Sequence, residues 1–125
     1  MSDPRHELGA RGEALAERFL KRRGLKTVTR RFSTPVGELD LIMRDGETVV
    51  FVEVKTRRDR EYAEPEDAIT ATKLRRLMRA VQWFLHHKRW DEQPCRFDVV
   101  TVILPPEGEP EFEHFADVPV PYRGD

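Results

Sequence analysis

Residues 37–57, GELDLIMRDGETVVFVEVKTR, decide the fold. Two apolar runs flank Asp45-Gly46, a strong signal for a two-residue hairpin turn, whose central positions both need positive φ. The second run, TVVFVEV, is nearly continuous in Val and Phe, as in a strand buried on both faces. Glu53 and Lys55 interrupt that strand, where charge without a partner is heavily penalised. Setting Arg44 opposite Glu47 puts Asp40 opposite Phe51 and Glu38 opposite Glu53. Side chains alternate at period 2, so Glu38, Asp40, Glu53 and Lys55 share one face. Asp40 and Glu53 then become diagonal neighbours, roughly 5–8 Å apart at their β-carbons. A Glu–Lys salt bridge at a strand end accounts for Glu53 and Lys55 taken alone. Three acids against one lysine leave excess negative charge, which a cation or raised pKa values must relieve. Oxygen-only donors suit a hard ion, Mg²⁺ or Mn²⁺, better than zinc.

The flanking sequence builds a small domain around this hairpin. Leu8, Leu15, Ala16, Phe19 and Leu20 recur at helical spacing, which predicts a helix over 6–23, with Asp3-Pro4 as its start and Gly24 as its stop. Residues 26–33, KTVTRRFS, alternate imperfectly and read as a strand, closed by a turn at Pro35-Val36-Gly37. Residues 57–66 are polar and read as a loop. Leu74, Leu77, Met78, Val81, Phe84 and Leu85 form one stripe of a second helix over about 70–89, capped by Thr70 or Thr72. Residues 96–104, RFDVVTVIL, read as a further strand. From Pro105 the chain is a Pro-rich acidic tail, partly ordered, in which EFEHF at 111–115 could add an edge strand. A helix between two strands suggests a right-handed crossover, with helices covering a central mixed sheet.

At 125 residues the chain has the length of one domain, 1–104, plus its tail. No apolar run reaches the length of a transmembrane helix, and MSDPRHELGARGEA lacks the pattern of a secretory signal. Cys95 stands alone, so no intrachain disulfide or cysteine metal cluster can form, and a cytoplasmic location without membrane contact is expected. The net charge of −1 conceals an asymmetry: residues 105–125 hold six acids and one base, leaving 21 Lys/Arg against 17 Asp/Glu in residues 1–104. Seven bases fall between Arg18 and Arg31, and six between Lys73 and Arg89, with no acid in either stretch. Such clusters are either ordinary solvated helix faces or a surface for polyanions. His6, His86, His87 and His114 show no zinc spacing and read as surface residues. Trp83 and Trp90 read as packing rather than as base-stacking platforms, and Asp98 as a pairing residue at a strand edge.

Asp40…Glu53-Val54-Lys55 resembles the D…ExK core of the PD-(D/E)xK nuclease superfamily, whose fold is that of type II restriction endonucleases and archaeal Holliday-junction resolvases. A smaller group is more similar still. GARGEALAERFLKRRG, GELDLI, FVEVKTR, AITATKLRRL and RFDVV, in that order over about residues 9–103, resemble the bacterial YraN-like family of predicted endonucleases. The resemblance implies an α/β, restriction-endonuclease-like core: a central mixed β-sheet flanked by helices, in the order αβββαβ. It implies that Asp40 and Glu53 bind metal, that the Val54 carbonyl adds a ligand, and that Lys55 orients the attacking water and offsets charge at the phosphate. Glu13 matches the extra acid of resolvase-like members, helping with metal or water; its plain alternative is a solvent-facing helix residue. Glu38, from the family's Gly-Glu pair, stands at the entrance. Lys73, with Arg57 and Arg76, is expected at nucleic-acid phosphates, against the alternative of solvated surface bases. Two departures stand out: Leu39 precedes Asp40 where the superfamily has Pro, and Arg30-Arg31 stand where the YraN-like pattern has Asn.

The expectation is therefore an Mg²⁺- or Mn²⁺-dependent endonuclease hydrolysing DNA phosphodiesters, with branched or damaged duplex as substrate by analogy. Resolvase-like relatives are often homodimers, which implies the same option here. The competing expectations are a non-catalytic nucleic-acid-binding or assembly module that keeps the fold, and a protein–protein interaction domain whose hairpin charges are salt bridges.

Overall fold

A computed structural model describes residues 4–59 and 70–120. The elements are α1 (Pro4–Arg22), β1 (Lys26–Thr34), β2 (Gly37–Asp45), β3 (Thr48–Arg57), α2 (Ala71–Lys88), β4 (Cys95–Ile103) and β5 (Glu111–Phe115). They form one five-stranded sheet in the order β1-β2-β3-β4-β5, antiparallel except for the parallel β3–β4 pair that α2 connects. The chain is thus α/β with a mixed sheet, as its pattern predicts, and the segment EFEHF is the fifth strand. Of the polar loop, residues 60–66 lie outside the described residues, as does Asp3 of the helix start signal.

Strand alternation divides the core in two. Val49 and Phe51 face α2, packing with Ile42, Met78, Val81 and Phe84. Val50 and Val52 face the opposite side and meet Ala16 and Leu20 of α1 with Leu41, Met43, Val100 and Val102. Helix α1 ends where Gly24 turns left-handed (φ 96°): Leu25 N–H bonds back to Leu20 carbonyl and Gly24 N–H to Lys21 carbonyl. It can lie close on the sheet because residue 12 is glycine; a β-carbon there would collide with the Thr56 side chain. Thr70, of the two candidates, caps α2 by accepting from Lys73 N–H at 3.1 Å. Among the described residues, no helix is long and apolar enough to cross a membrane.

The hairpin register differs from the expected one by two residues. Asp45 pairs with Thr48, Arg44 with Val49 and Leu41 with Val52, so Gly46 and Glu47 occupy the central turn positions. Only Gly46 has positive φ, 61°, the pattern of a turn that needs a left-handed residue at its first central position alone. Asp45 stays extended, and its carboxylate reaches Arg96 of β4 at 2.8 Å. A shift by an even number leaves the paired side chains of β2 and β3 on their expected faces. The pairing ends at Leu41 and Val52, one residue short of Asp40 and Glu53.

The imperfect alternation of β1 is a bulge between Thr27 and Thr29. After β4 the chain stays on the body: Val118 N–H bonds to Phe97 carbonyl at 2.7 Å, and Val118 and Val120 pack against the α2-side core.

Candidate metal and phosphate site

The β2–β3 ladder stops at Leu41 and Val52. Past that point the Asp40 carboxylate accepts the Val54 N–H at 3.1 Å, taking the place of a ladder bond. This bond holds the carboxyl against β3, within hydrogen-bonding contact of Glu53. Burial and the neighbouring Glu53 charge push the Asp40 pKa up to about 7, while the Val54 N–H and the Lys55 charge only partly oppose the rise. Lys55 pairs with Glu53 at 3.5 Å, and both side chains are less than one-fifth exposed. The centre is therefore two carboxyl groups and one ammonium at the mouth of the hairpin, with the acids pressed together.

A groove of about 200 Å³ opens on this pair, lined by Gly37, Glu38, Asp40 and Glu53 from the sheet and by Lys73, Arg76, Leu77 and Ala80 from α2. Gly37 has φ 155°, and a β-carbon built on it would touch Arg76 and Ala80, so the start of β2 lies close against the helix. Glu38 is exposed at the rim, with Ser33 Oγ at 3.4 Å. Lys73 and Arg76 thus stand beside the acids. Arg57 follows Lys55 along the same face of β3, and its buried Nε has no hydrogen-bond partner among the described residues.

Glu13 is near this centre without joining it. Its carboxylate accepts from Arg31 Nε at 2.9 Å. Burial raises its pKa, Arg31 partly opposes this, and the charges of Asp40 and Glu38 add to the rise. Among the described residues, no three His, Cys, Asp or Glu side chains converge closely enough to hold an ion. The set expected from resemblance therefore divides: Asp40 and Glu53 come together, Val54 offers its N–H to Asp40, and Glu13 is held by Arg31.

Sequence reasoning missed Arg31. Its backbone is left-handed (φ 46°) beside the Asp40 position of β2, an unusual state for a non-glycine residue. The one available signal was the departure at Arg30-Arg31, where the resemblance leads to an expectation of Asn, a residue that tolerates that conformation better than most. Sequence reasoning also missed Glu17, which is buried under Arg30 (2.6 Å), Thr27 (2.5 Å) and Lys21 (3.3 Å) and ties α1 to β1. These bonds, Arg30's foremost, outweigh burial and lower the Glu17 pKa to about 2.

Two expectations away from the site require correction. His114 is not a surface residue: its side chain is 7% exposed, and it lies between Arg23 (3.2 Å) and Asp98 (2.8 Å). Asp98 lies in the middle of β4 rather than at an edge and is fully buried. It accepts from Arg96 Nε at 3.0 Å and the Asp117 N–H at 2.9 Å as well as pairing with His114. Burial disfavours its charge, but these three partners outweigh burial and hold its pKa below the usual carboxylate range. Asp98 fastens β5 to the body and takes no part in the groove.

Over residues 12–102 the chain matches the family model described as "Uncharacterised protein family UPF0102". It is 44% identical over 115 residues to a UPF0102 protein of Syntrophotalea carbinolica, covering 92% of this chain and 93% of that protein. A UPF0102 protein of Renibacterium salmoninarum is 48% identical over 109 residues, covering 86% and 92%. One from Beutenbergia cavernae is 45% identical over 112 residues, covering 89% and 94%. The matched span contains Glu13, Asp40, Glu53, Lys55 and Lys73.

Proposed function

The chain belongs to the uncharacterised protein family UPF0102, and from its site we propose that it is a metal-dependent nuclease with a restriction-endonuclease-like core, hydrolysing phosphodiester bonds of DNA. The observation that carries this reading is the Asp40–Glu53 contact, in which two carboxyl groups are forced together with Lys55 beside them, facing a groove edged by bases of α2. A folded domain has no stability reason to press two acids together. The arrangement suits a centre that gains a cation when it works.

The donor set fits a hard divalent ion. Mg²⁺ takes one or two carboxylates and completes its shell with water and substrate phosphate oxygens, so two acids suffice. A strand residue directs its N–H and C=O toward the same neighbour, which puts the Val54 carbonyl on the Asp40 side as a further donor. When bound, the ion would polarise the phosphoryl group and lower the pKa of a coordinated water. The protein's own residues do the rest. Asp40 and Glu53 would hold the ion, with the Val54 N–H and Lys55 fixing the two carboxyl groups. The Lys55 ammonium orients the attacking water and stabilises charge that grows on the phosphoryl oxygens. Lys73 and Arg76 neutralise flanking phosphates. Glu13, paired with Arg31, could assist only if Arg31 releases it.

Cleavage of labelled branched, flapped, single-stranded and linear DNA with Mg²⁺ tests the reading. Activity should be lost in Lys55→Ala, by about a hundredfold or more for a group acting on the transition state. Activity unchanged by that substitution would place the reaction elsewhere. Salt-sensitive binding of DNA without metal uptake or cleavage would leave a non-catalytic nucleic-acid-binding module.

A further inference from the structure

One surface of α2 extends beyond the groove. Helical spacing puts Lys73, Arg76, Leu77 and Ala80 in one stripe along the groove, and the same stripe continues through Trp83 to His87. Trp83 and His87 stack with ring centroids 4.8 Å apart and planes within 14°. Phe32 of β1 closes the cluster at 6.0 Å from Trp83 and 6.4 Å from His87. The two tryptophans thus differ. Both are half-buried, but Trp90 packs on the core and carries Arg44 over its ring, whereas Trp83 stacks on the exposed His87. Around this cluster the helix is basic throughout, with Lys73, Arg75, Arg76, Arg79 and Lys88 and no acid.

We infer that Trp83, His87 and Phe32 form a stacking platform for the bases of an unpaired DNA strand whose backbone follows the basic face of α2 to the Asp40–Glu53 pair. The inference rests on the nuclease reading of the groove and names its substrate: single-stranded DNA, or an unpaired segment of a larger structure. Along the helix, Trp83 lies about 4.5 Å and His87 about 10 Å beyond Ala80. A stacked strand advances about 3.4 Å per nucleotide, so the platform meets bases one to three nucleotides from the groove. Aromatic faces beside a basic track bind single strands with little sequence preference, because every base presents a π-face. A paired duplex keeps its bases inside the helix and cannot use such a platform.

Binding without metal tests this apart from cleavage. Fluorescence anisotropy with a short labelled oligothymidine in EDTA should show tighter binding than for a duplex of equal length. Trp83→Leu and His87→Ala should each weaken the single strand about tenfold and leave the duplex unchanged, the loss expected for one stacked base. His87 is exposed, so its substitution keeps the test valid if Trp83→Leu folds poorly. Oligothymidine should also quench tryptophan fluorescence in the wild type and not in Trp83→Leu. Single-strand affinity unchanged in both variants, tighter binding of duplex, or tighter binding of oligouridine would overturn the inference. Cleavage without a platform effect would overturn the platform alone. A platform effect without metal uptake would keep the platform and overturn the nuclease.

Discussion

Asp40 and Glu17 are both carboxylates held by N–H donors, yet their environments drive them in opposite directions. Asp40 faces another acid, and its folded-state pKa of about 7 lies above the 3.8 of an ordinary aspartate. The folded state therefore binds the proton more tightly than the unfolded chain. Asp40's contribution favours the fold at low pH and declines as pH rises from about 4 to 7. Without metal, Asp40→Asn keeps an acceptor for Val54 N–H and removes the repulsion. It should gain on the order of 1 kcal/mol at pH 8, a rise of a few degrees in Tm, with no gain near pH 4. A thermal melt showing a lower Tm for Asp40→Asn at pH 8 would contradict this. Glu17 faces three donors, and its pKa of about 2 lies below the ordinary 4.5. Its stabilisation is present above about pH 4.5 and is lost as pH falls toward 2. Glu17→Gln should cost about 1–2 kcal/mol at pH 7. The Tm gap from wild type should close on acidification, and a gap independent of pH would refute the ion-pair account.

At the scale of elements, the hairpin was legible and its register was not. Apolar runs around Asp45-Gly46 identify both strands, but either turn pairing satisfies the same alternation, so sequence cannot separate registers that differ by two. The faces of the paired residues were therefore right and the register was wrong by two. Helix α2 was legible down to its stripe because its period is unambiguous. The burial of Asp98 and His114 was not, since both depend on β5 folding back beside β4, and EFEHF reads from sequence only as an optional edge strand. Asp98→Ala leaves Arg96 and His114 facing a cavity and should cost about 3–5 kcal/mol. Amide exchange of β5 should quicken before that of β3, and equal protection of the two would remove Asp98's proposed role as the β5 clasp. Gly12→Ala brings a β-carbon against Thr56 and should lift α1 from the sheet, costing about 1–3 kcal/mol. Adding Thr56→Ala should recover most of that loss, and a failure to recover it would mean that another contact sets the helix distance.

Across the whole molecule, charge is sorted by position. The body is basic, the tail after Pro105 is acidic, and one of the two acid-free basic stretches lies on the helix that borders the Asp40–Glu53 pair. That sorting could be read from the sequence, as could the coming together of Asp40 and Glu53. The restraint of Glu13 by Arg31 could not, because it depends on a left-handed residue in an otherwise extended strand. The central claim is that Asp40 and Glu53 form a divalent-cation site. Calorimetric titration with Mn²⁺ at pH 7.5 tests it most directly. Wild type should take up the ion with release of protons from Asp40, and Asp40→Asn/Glu53→Gln should show no uptake. The same absence of heat in both proteins, or the same uptake in both, would contradict it.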